Sequence, residues 1–142
     1  MKNQPRSTID FLRIAVGFHG HLGPFLVLGL RMGILARKML KPHGVHGLLA
    51  TVWTRREPPQ SCIIDGIQIS SGCTMGKGNI KVKNARFVKA KFQRGKRSVV
   101  VGPKETIKEV LTALPRRTTQ QRLENLALYL NSLPDRELLE VS

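Results

Sequence analysis

Acidic residues are scarce in this chain. Its 142 residues hold nine Asp and Glu against 24 Lys and Arg, a formal net charge of +15. No acid occurs between Gly66 and Lys104. A field of that sign disfavours cationic ligands and favours anionic ones: nucleic acid, a carboxylated cofactor or an acidic protein. Aromatic residues are also few, at 5%. Between positions 66 and 104 only Phe87 and Phe92 could stack on bases, so nucleic-acid binding is a secondary expectation. Long apolar runs are missing, because charges or glycines interrupt every stretch before the roughly 18 residues of a membrane span. The two cysteines, Cys62 and Cys73, are too few for a disulfide framework. The N-terminal Met1-Lys2-Asn3-Gln4-Pro5-Arg6 is unlike a signal peptide, so a reducing cytoplasm is the expected compartment.

What is present reads as one folded domain over residues 1–142. Ser7 or Thr8 caps a first helix to Val16, which Gly17 ends. Phe18 to Pro24 is a Gly/Pro loop. Pro24 opens a second helix to about Leu40, apolar almost all round and therefore central. Its Gly29 and Gly33, spaced i, i+4, permit close backbone approach. Val45 to Thr54 reads as a strand, and a third helix runs from Gln60 or Ser61 to Ser71. Three short strands follow at Ile80–Val82, Ala85–Gln93 and Ser98–Val101, with a turn at Gly95. Pro103 opens a helix that Pro115 stops, Thr118 or Thr119 caps a last long helix, and Pro134 begins a short tail that can be helical. This order predicts an α+β fold with a mainly antiparallel or mixed sheet of about four strands.

Three clusters could carry chemistry. His19-x-His21 has a glycine between two imidazoles, which lets both converge on a metal ion or a proton. On spacing alone it also describes two surface histidines. Cys62-x-x-Asp65 places a thiol and a carboxylate on one helix face, and the helix N-terminus should ease ionisation of Cys62. Asp65 could ligate a metal, orient a histidine or act as a general base. Ser71-Gly72-Cys73-Thr74-Met75-Gly76-Lys77-Gly78-Asn79 could present backbone amides and Lys77 to an anion. It lacks the spacing of a nucleoside-triphosphate phosphate loop, which excludes that activity. A continuous helix between Cys62 and Cys73 sets them roughly 16 Å apart, too far to share one metal within a chain. The more economical site joins Cys62 to His19 or His21, with Asp65 beside them.

Taken together, Phe18-His19-Gly20-His21-Leu22-Gly23-Pro24, Gly29-Leu30-Arg31-Met32-Gly33, Cys62-x-x-Asp65-Gly66-Ile67-Gln68 and the Gly72-Cys73-Thr74-x-Gly76-Lys77-Gly78-Asn79 loop resemble the E-subunit family of formylmethanofuran dehydrogenase over residues 8–102. The resemblance implies a core similar to the glyceraldehyde-3-phosphate dehydrogenase catalytic-domain fold, a homodimer, and a role related to methanogenesis. It implies a metal-associated cleft with His19, His21, Cys62 and Cys73 as ligands and zinc as the metal, which thiolate and imidazole donors suit. Asp65 would then be the base and Lys77 the anion anchor, with Thr74, Gly76 and Asn79 binding an anionic one-carbon ligand. An acidic partner protein or a carboxylated cofactor is the expected partner. Two departures stand out. Many relatives carry a cysteine where this chain has Gly23. Many also append a zinc finger, whereas no cysteine follows Cys73 here and residues 103–142 read as helices.

Overall fold

The computed structural model describes residues 8–44 and 46–142, without the side chains of Thr8 and Ile9. A cap at Ser7 or Thr8 and the residue Val45 therefore fall outside what is described. Helix α1 (Thr8–His19) passes through Gly17 and ends at Gly20, whose φ of +104° suits glycine. The expected stop at Gly17 is thus corrected by three residues, and His19 sits on the last helical turn rather than in the loop. Helix α2 (Pro24–Leu40) begins at the expected proline and stops at Lys41 in the left-handed conformation. Strand β1 (Leu49–Thr54) leads into α3 (Cys62–Ser71) and then into β2 (Ile80–Asn84). Strands β3 (Lys89–Arg94) and β4 (Arg97–Pro103) form a hairpin. Helices α4 (Glu105–Thr112), α5 (Gln120–Ser132) and α6 (Asp135–Leu138) precede a final strand, β5 (Leu139–Val141).

The sheet is mixed and five-stranded, in the order β2-β1-β3-β4-β5. Strands β1 and β2 run parallel, which needs a crossover, and α3 supplies it. The other pairings are antiparallel. Several expectations change: the first strand begins at Leu49, not Val45, and Pro103 closes β4 rather than opening α4, which starts at Glu105. The segment from Ala85 becomes strand only at Lys89, and the C-terminal tail returns to the sheet as β5 instead of ending as helix.

One sheet face bears Ala50, Val52, Ala90, Phe92 and Val101, all buried in a core shared with Leu28, Met32 and Ala36 of α2. The other face carries exposed Lys81, Lys83 and Lys89. Helix α3 packs on α2 through glycine. A Cβ at Gly29 would collide with the Ile63 carbonyl, and one at Gly66 with the Leu26 carbonyl. The i, i+4 glycines therefore do what their spacing predicts, and Gly66 completes the contact from the other side.

Part of the basic charge is structural. Arg94 donates to the Leu40 and Lys41 carbonyls at 2.8 and 2.6 Å, and Arg97 to that of Met39 at 3.0 Å, closing the C-terminus of α2. Arg31, only 7% exposed, donates to the Asn131 and Leu133 carbonyls and to Asp135, fixing the end of α5. Among the described residues no helix is long and apolar enough to cross a membrane.

Candidate functional site

Close packing of α3 on α2 places the first turn of α3 beside the end of α1. There Nδ1 of His19 donates to Oδ2 of Asp65 at 2.5 Å. The bond fixes the tautomer of a neutral imidazole, leaving the lone pair on Nε2. That Nε2 is buried and has no hydrogen-bond partner. A buried ring nitrogen without a partner is costly, and it is the atom a metal ion or a proton donor would meet. His21, past the turn at Gly20, lies with its ring centroid 4.5 Å from that of His19 and tilted by 42°. The glycine between the histidines lets both rings approach, as the motif predicts.

Cys62 is half-buried, one turn before Asp65 on the same helix. Burial, and then the Asp65 carboxylate, push its thiol above the ordinary range, and a backbone hydrogen bond opposes them. Eased ionisation at the helix N-terminus is therefore corrected: desolvation and a like charge outweigh the dipole.

The remaining candidates gather at the other end of α3. The helix is continuous from Cys62 to Ser71, a rise of about 14 Å, so Cys73 follows its far end. Cys73 is fully buried in the core, where its thiol donates to the Leu48 carbonyl at 3.4 Å. Burial raises its pKa, against opposing effects of Ser71, Lys77 and Arg37. It packs as a small apolar side chain and does not join the histidines as a ligand.

The loop after it is closed on itself. The Thr74 amide donates to the Asn79 side chain at 2.8 Å and the Met75 amide to Gln68 at 2.9 Å. The Gly78 amide reaches the Thr74 and Met75 carbonyls. The Lys77 amide and ammonium both donate to the Thr74 hydroxyl. Gly76 is exposed, with open space where a Cβ would stand. The expected cradle of free amides is therefore filled by the loop's own acceptors.

What converges is a smaller set: an oriented imidazole, a second imidazole and the orienting carboxylate, whose charge the Cys62 thiol also feels. Among the described residues, no three or more His, Cys, Asp and Glu side chains form a group that could hold a metal ion. The geometry shows where another donor could enter. A Cβ at Gly23 would lie 3.9 Å from Nε2 and Cδ2 of His21. Imidazole and thiolate donors as a class suit a borderline-soft divalent metal. The Asp–His pair is the usual outer support of an imidazole ligand.

The FmdE family model, described as "Molybdenum formylmethanofuran dehydrogenase operon", matches residues 18–140. The chain belongs to this family. The match continues well past residue 102 and takes in the C-terminal helices and most of β5. A solved structure of a tungsten formylmethanofuran dehydrogenase FmdE-like protein from Syntrophus aciditrophicus superposes with a TM-score of 0.61 at 18% identity. It covers 96% of this chain and 71% of that one, a likeness of fold. A probable S-adenosyl-L-methionine-binding protein of Archaeoglobus fulgidus is 34% identical over 86 residues, 54% of this chain. The chain spans about a fifth, 21%, of that relative's length.

Proposed function

We propose that this chain is a metal-binding protein of the FmdE type, holding one divalent ion, zinc by preference, at the end of α1. His19 through Nε2 and His21 would hold the ion, with Cys62 the available sulfur donor and Asp65 the support of His19. The observation that carries this reading is His19 itself: Nδ1 committed to Asp65, Nε2 buried and without a partner. When bound, the ion would act as a Lewis acid on an oxygen of an anionic one-carbon ligand. The chain's own contribution is to fix the imidazole tautomer, shield Nε2 from bulk water and attract an anion through a net charge of +15. With two imidazoles in place and no third donor grouped with them among the described residues, the remaining positions fall to Cys62, solvent, the ligand or a second copy of the chain. A homodimer belongs to this proposal.

The missing third donor favours one alternative. The His19–Asp65 pair can work without metal as an acid–base dyad, with Nε2 accepting a proton and Asp65 orienting the ring. Metal content and zinc titration by calorimetry separate the two. The metal reading expects one equivalent bound by the parent protein and loss of binding in His19→Ala. Absence of binding, or equal binding in both proteins, would overturn it and leave the dyad.

A further inference from the structure

The uncovered face of the sheet carries an ordered array. Register places Lys81 and Lys91 on either side of Thr51, and Lys83 and Lys89 on either side of Trp53. Neighbouring strands lie about 4.8 Å apart, so each pair of lysines flanks its central residue closely. The ammonium of Lys89 lies 5.0 Å, and that of Lys83 5.7 Å, from the Trp53 ring centroid. Strands β1 to β4 contain no acid. Just beyond Trp53, at the C-terminal ends of the parallel strands β1 and β2, is an open hollow of about 530 Å³. Arg55, Arg56 and Arg86 line it, with Glu57 its single acid. Phe87, 54% exposed, stands next to Arg86, whose guanidinium lies 5.3 Å from its ring.

From this array we infer that the open sheet face binds a single-stranded polynucleotide. Its backbone would run along the lysine pairs into the arginine hollow, with bases meeting Trp53 and Phe87. Rows of cations interleaved with accessible aromatic rings are what non-specific single-strand binding uses. The cation–π pairs hold the charges against the indole, so a phosphate that neutralises them brings its base to the ring. A second copy fits poorly, because two such faces would oppose four lysines to four lysines, with only Glu57 at the hollow and Glu140 on the edge strand β5 to offset them. An acidic protein would satisfy the charge but gives no reason for the two aromatic rings. This surface lies on a different face from the His19 cluster and does not depend on it.

Trp53 is the only tryptophan, so its fluorescence reports on this face alone. The full chain is titrated with a labelled oligothymidylate of about twelve nucleotides, following anisotropy and Trp53 emission. The inference expects quenching together with rising anisotropy. Four neutralised phosphates imply affinity falling roughly 50-fold between 50 and 200 mM salt. Lys81→Glu with Lys91→Glu should weaken binding at least tenfold while the thermal melt is retained. Lys81→Gln with Lys91→Gln should weaken it in the same direction, should the acidic pair fail to fold. Each of three results would overturn the inference: no salt-sensitive complex, polyglutamate binding as tightly as the oligonucleotide, or a doubled mass in light scattering that blocks the oligonucleotide. Inorganic polyphosphate competing fully while the oligonucleotide leaves Trp53 emission unchanged would also overturn it, reducing the face to charge alone.

Discussion

Asp65 on α3 accepts the Nδ1 proton of His19 on α1 at 2.5 Å, joining two helices across 46 residues of chain. The contact decides which nitrogen of His19 faces inward. Asp65→Asn keeps an acceptor but removes the charge. Zinc affinity, measured by competition with a chromophoric chelator, should fall about 10- to 100-fold, the usual cost of losing the carboxylate behind a ligating imidazole. His19→Ala should abolish binding.

Gly23 occupies extended backbone, with φ −149° and ψ 163°, which any residue can adopt. A side chain there starts 3.9 Å from His21 Nε2, an ordinary contact distance. Gly23→Cys should therefore add a third donor and tighten zinc at least tenfold, about 1.4 kcal/mol. Unchanged affinity in the same chelator competition would place the ion elsewhere.

The same substitution should have opposite signs at two glycines. Gly17 lies within α1 with nothing near its missing Cβ, so Gly17→Ala should gain about 0.5–1 kcal/mol from helix propensity. At Gly66 a Cβ meets backbone atoms of Leu26 and Leu30, which cannot swing aside. Gly66→Ala should cost about 1–3 kcal/mol despite its better propensity. Denaturant unfolding of both variants checks the pair.

Burial raises the Cys73 thiol pKa in the folded chain, while in the unfolded chain it takes an ordinary value of about 8.5. The folded state therefore holds the proton more tightly. The resulting stability is fully present below about pH 8.5 and is lost as pH rises through the folded value. Unfolding free energy should decline above that pH in the parent and less steeply in Cys73→Ala. At pH 8 a thiol reagent should label Cys62 and leave Cys73 unmodified until the chain unfolds.

Prolines and glycines made most of the helices legible. Pro24, Gly72 and Thr119 stand at the helix ends that their chemistry predicts, and Thr119 accepts from the Arg122 amide at 3.2 Å. Gly17 and Gly20 show the limit. Both can stop a helix, and only tertiary packing decides that Gly20 takes the positive φ. Strand β5 is three residues long and depends on pairing with β4 for its existence, so no periodicity could announce it. The parallel β1–β2 pair was equally hidden, because a crossover helix looks like any other helix in sequence.

His-x-His and Cys-x-x-Asp were legible because each motif is local, and the fold sets them side by side through the His19–Asp65 bond. Whether the second cysteine faces that neighbourhood depends on the far end of α3, where Cys73 turns into the core. Trp53 shows its place only when register sets it between Lys83 and Lys89. The alternation of Thr51 and Trp53 against Lys81, Lys83, Lys89 and Lys91 was the available signal.

Anomalous scattering at the zinc edge, from crystals of the full chain grown with zinc, tests the central claim most directly. The account predicts a peak about 2.0–2.1 Å from Nε2 of His19, with His21 beside it and Asp65 still on Nδ1. A map with no peak there, and a water molecule bonded to that nitrogen instead, would contradict it.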